Sequence, residues 1–266
     1  MNAAAHPTTW RAPPFFGTRA RQRAVVLAAF LYLVWSVSTL HIDAQRALAG
    51  FGRAVNLVAR MIPPDFSRWE LLLKGMTESL QMAFAATLAG VLLSVPLGIA
   101  AARNLAPRPV YLAARACIVI GRTFHEVIIA IFFVKLFGFG PVAGLLTLAF
   151  SSVIFLAKML AEDIENVRTG PIEAVRATGA GFWQVISYSV VPQVLPRSVG
   201  TAIYRLDANV RHSTIVGIVG AGGIGQTLSA SFSRYDYDFA AAILLGIIAL
   251  VALGEWFSDR VRRKLR

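Results

Sequence analysis

The sequence predicts an all-α polytopic membrane protein with six transmembrane helices, and three observations carry that prediction. The chain has 266 residues, of which 56% are hydrophobic and only 15% charged, whereas soluble domains average about 25% charged. Its mean hydropathy is +0.62. The apolar residues fall in runs near the ~20-residue length that crosses a bilayer. Arginine and lysine gather at the ends of those runs, the pattern that orients an inner-membrane protein.

The same figures exclude several classes. Polar cover is too thin for a soluble fold, and apolar content too high for disorder. The single cysteine, Cys117, supports neither a disulfide framework nor a Cys-rich metal site. The histidines His6, His41, His125 and His212 form no ligand pair at helical spacing, so no metal is expected. Net charge is +12, which points to nucleic acid, anionic lipid or an anionic solute. The cations flank apolar segments instead of forming one face of a soluble fold. The expected partner is therefore the lipid bilayer and not nucleic acid.

Residues 1–23 read as a polar cytoplasmic tail with Arg11, Arg19, Arg21 and Arg23 and no acid. Residues 24–40 form the first span. The long polar lead and the lack of a small-residue exit after Leu40 favour a retained anchor over a cleaved signal peptide. Residues 41–70 read as a periplasmic or interfacial segment. Leu48, Phe51, Val55, Val58 and Ile62 recur at three- and four-residue steps, with Arg46, Arg53, Asn56 and Arg60 largely off that stripe. That is an amphipathic helix for the membrane interface or a partner helix. Pro63 and Pro64 end it, Ser67 with Glu70 has capping-box spacing, and Trp69 suits an interfacial anchor.

Residues 71–259 read as one transmembrane domain. Its spans are expected at 77–102, 110–137, 141–163, 199–221 and 238–257. Pro96 and Gly98 are expected kink sites in the first of these. The 110–137 zone is interrupted by Arg115 and by Arg122, His125 and Glu126. The N-terminal arginines, Arg103 with Arg108, and the basic tail 260–266 then share the cytoplasmic side. This places both termini and the long loop 164–198 inside.

That loop is neither Gly/Ser-rich nor strongly charged, so it is no plain linker. It reads as two short helices. Thr169 is placed to cap the first, with Pro171 at its first helical position. Gly179 and Gly181 are placed to close it. Phe182, Val185, Ile186 and Tyr188 form a second apolar stripe that Pro192 and Pro196 end. A hairpin packed under the spans and a docking element for a soluble partner, with Glu173 offered to an arginine, both fit these residues.

Glu173-Ala174-Val175-Arg176-Ala177-Thr178-Gly179, followed by Val185-Ile186 and Leu195-Pro196, resembles the EAA motif of type I ABC-importer permeases. Asn209 through Gly225 and Ala102-Arg103-Asn104-Leu105 resemble the phosphonate-type branch of that family, and the resemblance runs from about residue 65 to the C-terminus. It departs at Arg122–Glu126, where many relatives have proline in place of His125. The resemblance implies a type I ABC importer transmembrane fold and a homodimer. It implies two cytoplasmic ABC ATPase subunits and a periplasmic binding protein for phosphonate, phosphite, hypophosphite or a related oxyanion. ATP and Mg would be bound by the partner subunits, and no G-x-x-x-x-G-K-[ST] occurs in this chain. Pro171, Glu173, Ala174, Ala177, Gly179, Leu195 and Pro196 would couple to the ATPase.

Two further constellations remain. Gly220-Ala221-Gly222-Gly223-Ile224-Gly225 satisfies G-x-G-x-x-G, but it lacks the following βαβ unit and acid of a dinucleotide site. Gly220, Gly222, Gly223 and Gly225 instead suit a sharp span end, either as an outer gate or as close helix packing. Arg122, His125 and Glu126, and likewise Arg205, Asp207, Arg211 and His212, interrupt apolar zones. Charges there cost about 2.5–3.5 kcal/mol each on insertion scales and pair or line a water-filled path. Arg122 and Glu126, one turn apart, are placed to neutralise each other. Alternatively Arg122, His125, Glu126, Arg211, His212 and Ser213 line a route for an anion. Lys158 and Glu162 read as a structural pair. No catalytic residue is assigned: Asp207, His212 and Ser213 crowd together, but their spacing fits no triad. An intramembrane enzyme and a passive anion channel are the rival classes.

Overall fold

The structure, a computed structural model, describes residues 19–39 and 44–264. Every regular element among them is helical. The chain divides into two units, Met1–Ala59 and Arg60–Arg266.

In the first unit, α1 (Arg19–Thr39) carries the expected first span, with Leu40 and residues 1–18 outside the described residues. The helix begins inside the expected polar tail, at Arg19. Val26, Phe30, Tyr32 and Trp35 are all exposed, as in a helix whose whole circumference meets lipid. α2 (Ala44–Arg60) is amphipathic, with Leu48, Phe51, Val55 and Val58 exposed along one stripe. It stops at Arg60, ahead of the Pro63-Pro64 pair.

The second unit opens on α3 (Trp69–Ala100), which begins eight residues before the expected span. Its N-cap is Arg68 with no side-chain cap bond, so the capping box at Ser67 and Glu70 does not form. A stronger local competitor is Asp65, which accepts the Ser67 N–H at 2.8 Å and the Ser67 hydroxyl at 2.9 Å. Arg68 meanwhile donates to Asp236 at 2.6 Å. The Ser67 amide and hydroxyl, then Arg68, hold the Asp65 carboxyl below its usual range, and the Arg68 guanidinium does the same for Asp236. A depressed carboxyl keeps its partners at neutral pH and loses them as pH falls through its folded-state value. Hydrogen exchange at the Ser67 amide, corrected for its intrinsic pH dependence, is therefore expected to lose protection on acidification into the carboxylate range. Protection that does not change would contradict this.

α4 (Arg108–Thr123) and α5 (Glu126–Phe137) are apolar enough to make one span together, but they bend by 90° at Phe124–His125. Arg115 interrupts nothing. It lies inside α4 and reaches back to the Ala101 carbonyl at 2.9 Å and Glu165 at 2.9 Å. α6 (Pro141–Glu165) follows. Lys158 and Glu162 on it pair at 3.2 Å, as expected; a partly exposed i,i+4 pair is worth only about 0.3–0.5 kcal/mol.

α7 (Thr169–Ala177) and α8 (Phe182–Val185) occupy the long loop. Thr169 does not cap α7. Arg168 does so by its extended backbone, its N–H held by Gln193 at 3.0 Å, and Pro171 is the third helical residue. Gly179 closes α7 at φ +79°, the left-handed region that glycine enters without strain. Gly181 is not left-handed; it starts α8, donating its N–H to Gln184 at 2.8 Å.

Pro192 and Pro196 do not end the second stripe. A π-helical turn (Ile186–Val190) runs straight into α9 (Val191–Ile218). Pro192 occupies the second position of α9, where a missing N–H costs little. α10 (Gly223–Ser233) and α11 (Tyr237–Lys264) complete the bundle. Among the described residues five helical stretches are long and apolar enough to cross a membrane, or six if the bent α4–α5 pair is one span.

The bundle centres on α3, α6 and α9. Small side chains allow close approach at its centre, as membrane helices require: Ala86 of α3, Ala130 of α5, Ala143 of α6 and Ala221 just after α9 pack with Met82, Leu148 and Val216. At the Ala100 end of α3, Ala102, Ile164, Ile172, Val185, Val190 and Val194 form a separate cluster that seats α7 beneath the spans. Two polar ties fix that end. Glu165 accepts the Arg103 N–H at 2.8 Å, and Asn104 donates to the Ile164 carbonyl at 2.8 Å. Arg197 and Asp163 pair at 2.9 Å.

Candidate functional site

The 90° bend frees the α4–α5 corner from helical hydrogen bonding. His125 caps α5, its extended backbone followed by an imidazole Nδ1 that accepts the Val127 N–H at 3.4 Å. Glu126, the first residue of α5, turns into the bundle. A cavity of about 300 Å³ opens there, with Arg122, His125, Glu126, Ser151, Arg205 and His212 as its polar lining. Phe124, Ile129, Phe155 and Ile215 form its apolar walls.

Arg205 is the centre of the site and only 5% exposed. Its guanidinium donates to Ser152 at 3.0 Å, to Ser151 at 2.7 Å and to Glu126 at 3.0 Å. It also lies 5.4 Å from the Phe155 ring centre. The Ser151 hydroxyl donates to the same Glu126 oxygen, Oε1. His212 Nδ1 lies 2.7 Å from the other, Oε2, close enough for an ion pair but not aligned for a hydrogen bond. Burying an arginine in hydrocarbon is tolerated because a carboxylate and two hydroxyls share its charge.

Below this, fully buried Asn209 donates to Thr87 at 2.9 Å and to Ser152 at 2.9 Å. One amide thus joins α3, α6 and α9. Interhelical bonds in membranes average near 0.6 kcal/mol and reach about 1.7, so losing both by Asn209→Ala is expected to cost about 1–2 kcal/mol. Thermal unfolding of the purified protein in detergent checks this; an unchanged midpoint would show that the amide is not a tie.

The sequence-selected residues divide. Arg122, His125, Glu126 and His212 meet at the cavity. Arg211 does not: it pairs with Asp207 at 2.7 Å and Glu255 at 2.9 Å, tying α9 to α11. Ser213 is fully buried and donates to the Val210 carbonyl at 2.7 Å within its own helix. Nor do Arg122 and Glu126 neutralise each other. The helix break stands between them, and Glu126 is held by Arg205 and His212 instead. Ser151, Ser152, Asn209 and Thr87 were not singled out. The available signal was spacing: Arg205, Asn209 and His212 stand four and three residues apart, one face of a helix.

Pro171, Glu173, Ala174, Ala177 and Gly179 are exposed on α7, and Leu195 and Pro196 on α9. Ile172, the buried residue of α7, faces the bundle. At the opposite end Gly220, Gly222 and Gly223 all have positive φ, which reverses the chain between α9 and α10. The first N–H groups of α10 are satisfied from α3, Gly223 by Glu78 at 3.3 Å and Ile224 by Ser79 at 3.0 Å. Gly225 lies against the α9 backbone at Thr214 and Gly217.

Helices of membrane length packed around a charged cavity, with a separate helix seated at one end, define a polytopic membrane protein. Residues 94–266 match the family described as binding-protein-dependent transport system inner membrane component, and the chain belongs to that family. It is 42% identical over 214 residues to the phosphate-import permease protein PhnE of Mycolicibacterium smegmatis. That match covers 80% of this chain and 40% of the relative, so the chain spans two fifths of that protein's length. It is 40% identical over 246 residues to the phosphite transport system permease protein PtxC of Stutzerimonas stutzeri, covering 92% of this chain and 89% of the relative. Among solved structures, the inward-facing MetNI methionine ABC transporter superposes with a TM-score of 0.66 at 27% identity, over 76% of this chain and 99% of that one. The chain therefore has the type I ABC importer permease fold, helical in every regular element among the described residues, and is a multi-pass membrane protein.

Proposed function

We propose that this chain is the permease subunit of an ATP-driven importer that carries phosphonate, or a related phosphorus oxyanion such as phosphite or hypophosphite, across the bacterial inner membrane by alternating access. The observation that carries the reading is the match to a phosphite permease along nearly the whole chain. An arginine- and histidine-lined cavity inside the bundle supports it, since fixed cations lower the barrier to an anion in a low-dielectric path.

In this reading two copies of the chain form a homodimer. Two cytoplasmic ABC ATPase subunits bind ATP and Mg, and a periplasmic binding protein delivers the solute. Both chain termini and the 164–198 segment face the cytoplasm. Pro171, Glu173, Ala174, Ala177, Gly179, Leu195 and Pro196 meet the ATPase, and α7 carries its motion into the spans through Ile172. Gly220, Gly222, Gly223 and Gly225 form an outer gate. Arg122, His125, Glu126 and His212 line the solute's route. No covalent chemistry falls to this chain.

The test is uptake by cells that express the chain with its ATPase and binding protein. Accumulation of labelled phosphite should be competed by methylphosphonate and hypophosphite and not by amino acids. Competition by an amino acid, with none by any phosphorus oxyanion, would overturn the reading.

A further inference from the structure

Arg205 is the most buried cation of the cavity, and its present partner is a carboxylate. Glu126 offers it one oxygen at 3.0 Å and places the other 2.7 Å from His212. A carboxylate with one oxygen bonded to a guanidinium and the other against an imidazole fills the places that two oxygens of a phosphorus oxyanion would take. Arg122 lines the same cavity, is exposed to it and makes no ion pair among the described residues. Among the arginines and carboxylates of the lining, Arg122 and Arg205 against Glu126 leave one positive charge in excess.

Resting on the transport reading above, we propose that Glu126 is an internal counter-ion standing in for the solute, and that a phosphorus oxyanion entering the cavity takes Arg205 and His212 over from it. No bond is made or broken. The oxyanion exchanges with the carboxylate, and Glu126 keeps the Ser151 hydroxyl. Release of the solute restores the Glu126–Arg205 pair. Three features support the exchange. Glu126 sits at the open helix corner, where the backbone is not locked into a continuous helix. The His212 contact is short but misaligned, so it is readily given up. The Ser152 and Phe155 contacts hold the Arg205 side chain in place whichever anion is present. The carboxylate also prevents small anions from resting permanently on a bare buried guanidinium, which would clog or leak the route.

The experiment compares the wild-type transporter complex with Glu126→Gln and with the double variant Glu126→Gln/Arg205→Gln. Equilibrium binding of labelled phosphite to the nucleotide-free complex is measured alongside uptake. Glu126→Gln, similar in size but uncharged, should bind phosphite at least tenfold more tightly and take it up more slowly, because release loses its competitor. The double variant, neutral at both positions, should bind none. A Glu126→Gln complex with wild-type phosphite affinity overturns the proposal. If the variant does not assemble, infrared difference spectra of the wild-type complex decide: added phosphite should shift a buried carboxylate band, and an unmoved band overturns the exchange. A wild-type complex that takes up no phosphorus oxyanion removes the transport reading itself. Normal wild-type uptake with a Glu126→Gln to wild-type affinity ratio of one removes only the counter-ion role.

Discussion

Replacing Gly225 by alanine is expected to lower the stability of the bundle by about 3 kcal/mol, the upper end for an overpacked core. The new methyl would lie 1.9 Å from the Thr214 carbonyl oxygen and 2.8 Å from the carbonyl carbon. Both are backbone atoms of α9, so no side chain can rotate away; α10 itself must leave α9. That displacement also strips Gly223 and Ile224 of the Glu78 and Ser79 partners that satisfy the start of α10. The matched control is Gly200→Ala on α9, where nothing lies within 4 Å. There alanine should be neutral or stabilise by up to about 1 kcal/mol through helix propensity. Thermal unfolding of both variants in detergent separates the outcomes. Equal midpoints would mean that the α9–α10 contact is not a tight one.

The second large effect is expected at Glu173. Its side chain is exposed and makes no hydrogen bond or ion pair among the described residues, so Glu173→Arg should leave the bundle's unfolding midpoint within about 0.5 kcal/mol of wild type, as surface changes usually do. If α7 docks on the ATPase through that carboxylate, reversing its charge turns an attraction into a repulsion, which costs several kcal/mol across an interface. Uptake should then fall at least tenfold, with ATP hydrolysis no longer stimulated by the loaded binding protein. Ile172→Asp is the complementary change: Ile172 is buried in the cluster with Ala102, Ile164 and Val185, so it should damage the fold as well as uptake. Uptake unaffected by Glu173→Arg would remove α7 from the coupling route.

Much of the architecture was legible because hydrophobic length is an intrinsically one-dimensional signal. Runs of membrane length fix where helices cross, and the charges at 122–126 marked the break in α4–α5 within a few residues. What was not legible depended on competition between local partners. Ser67 has the spacing of a cap, yet Asp65 two residues away takes its hydrogen bonds. Pro192 and Pro196 look like helix ends, but Pro192 takes the second position of α9, directly after the π-helical turn, where a missing N–H costs little, and Pro196 is carried inside α9. Within the site, the cluster of charges was visible in the sequence while its pairing was not. Arg122 and Glu126 stand four residues apart, but the bend at Phe124–His125 sends Glu126 to Arg205 on α9, 79 residues on. Arg211 is one residue from His212 and points to α11 instead of the cavity. Pairing across helices is set by rotation about each helix axis, which the spacing in one strand of sequence does not contain.

The most direct measurement of the central claim is solute accumulation in proteoliposomes holding this chain with its ATPase subunits, with loaded binding protein outside. Labelled phosphite or methylphosphonate should concentrate inside only when ATP and Mg are supplied on the ATPase side, and Glu173→Arg should slow this at least tenfold. Equal accumulation without ATP, or concentration of a solute that carries no phosphorus oxyanion, would contradict it.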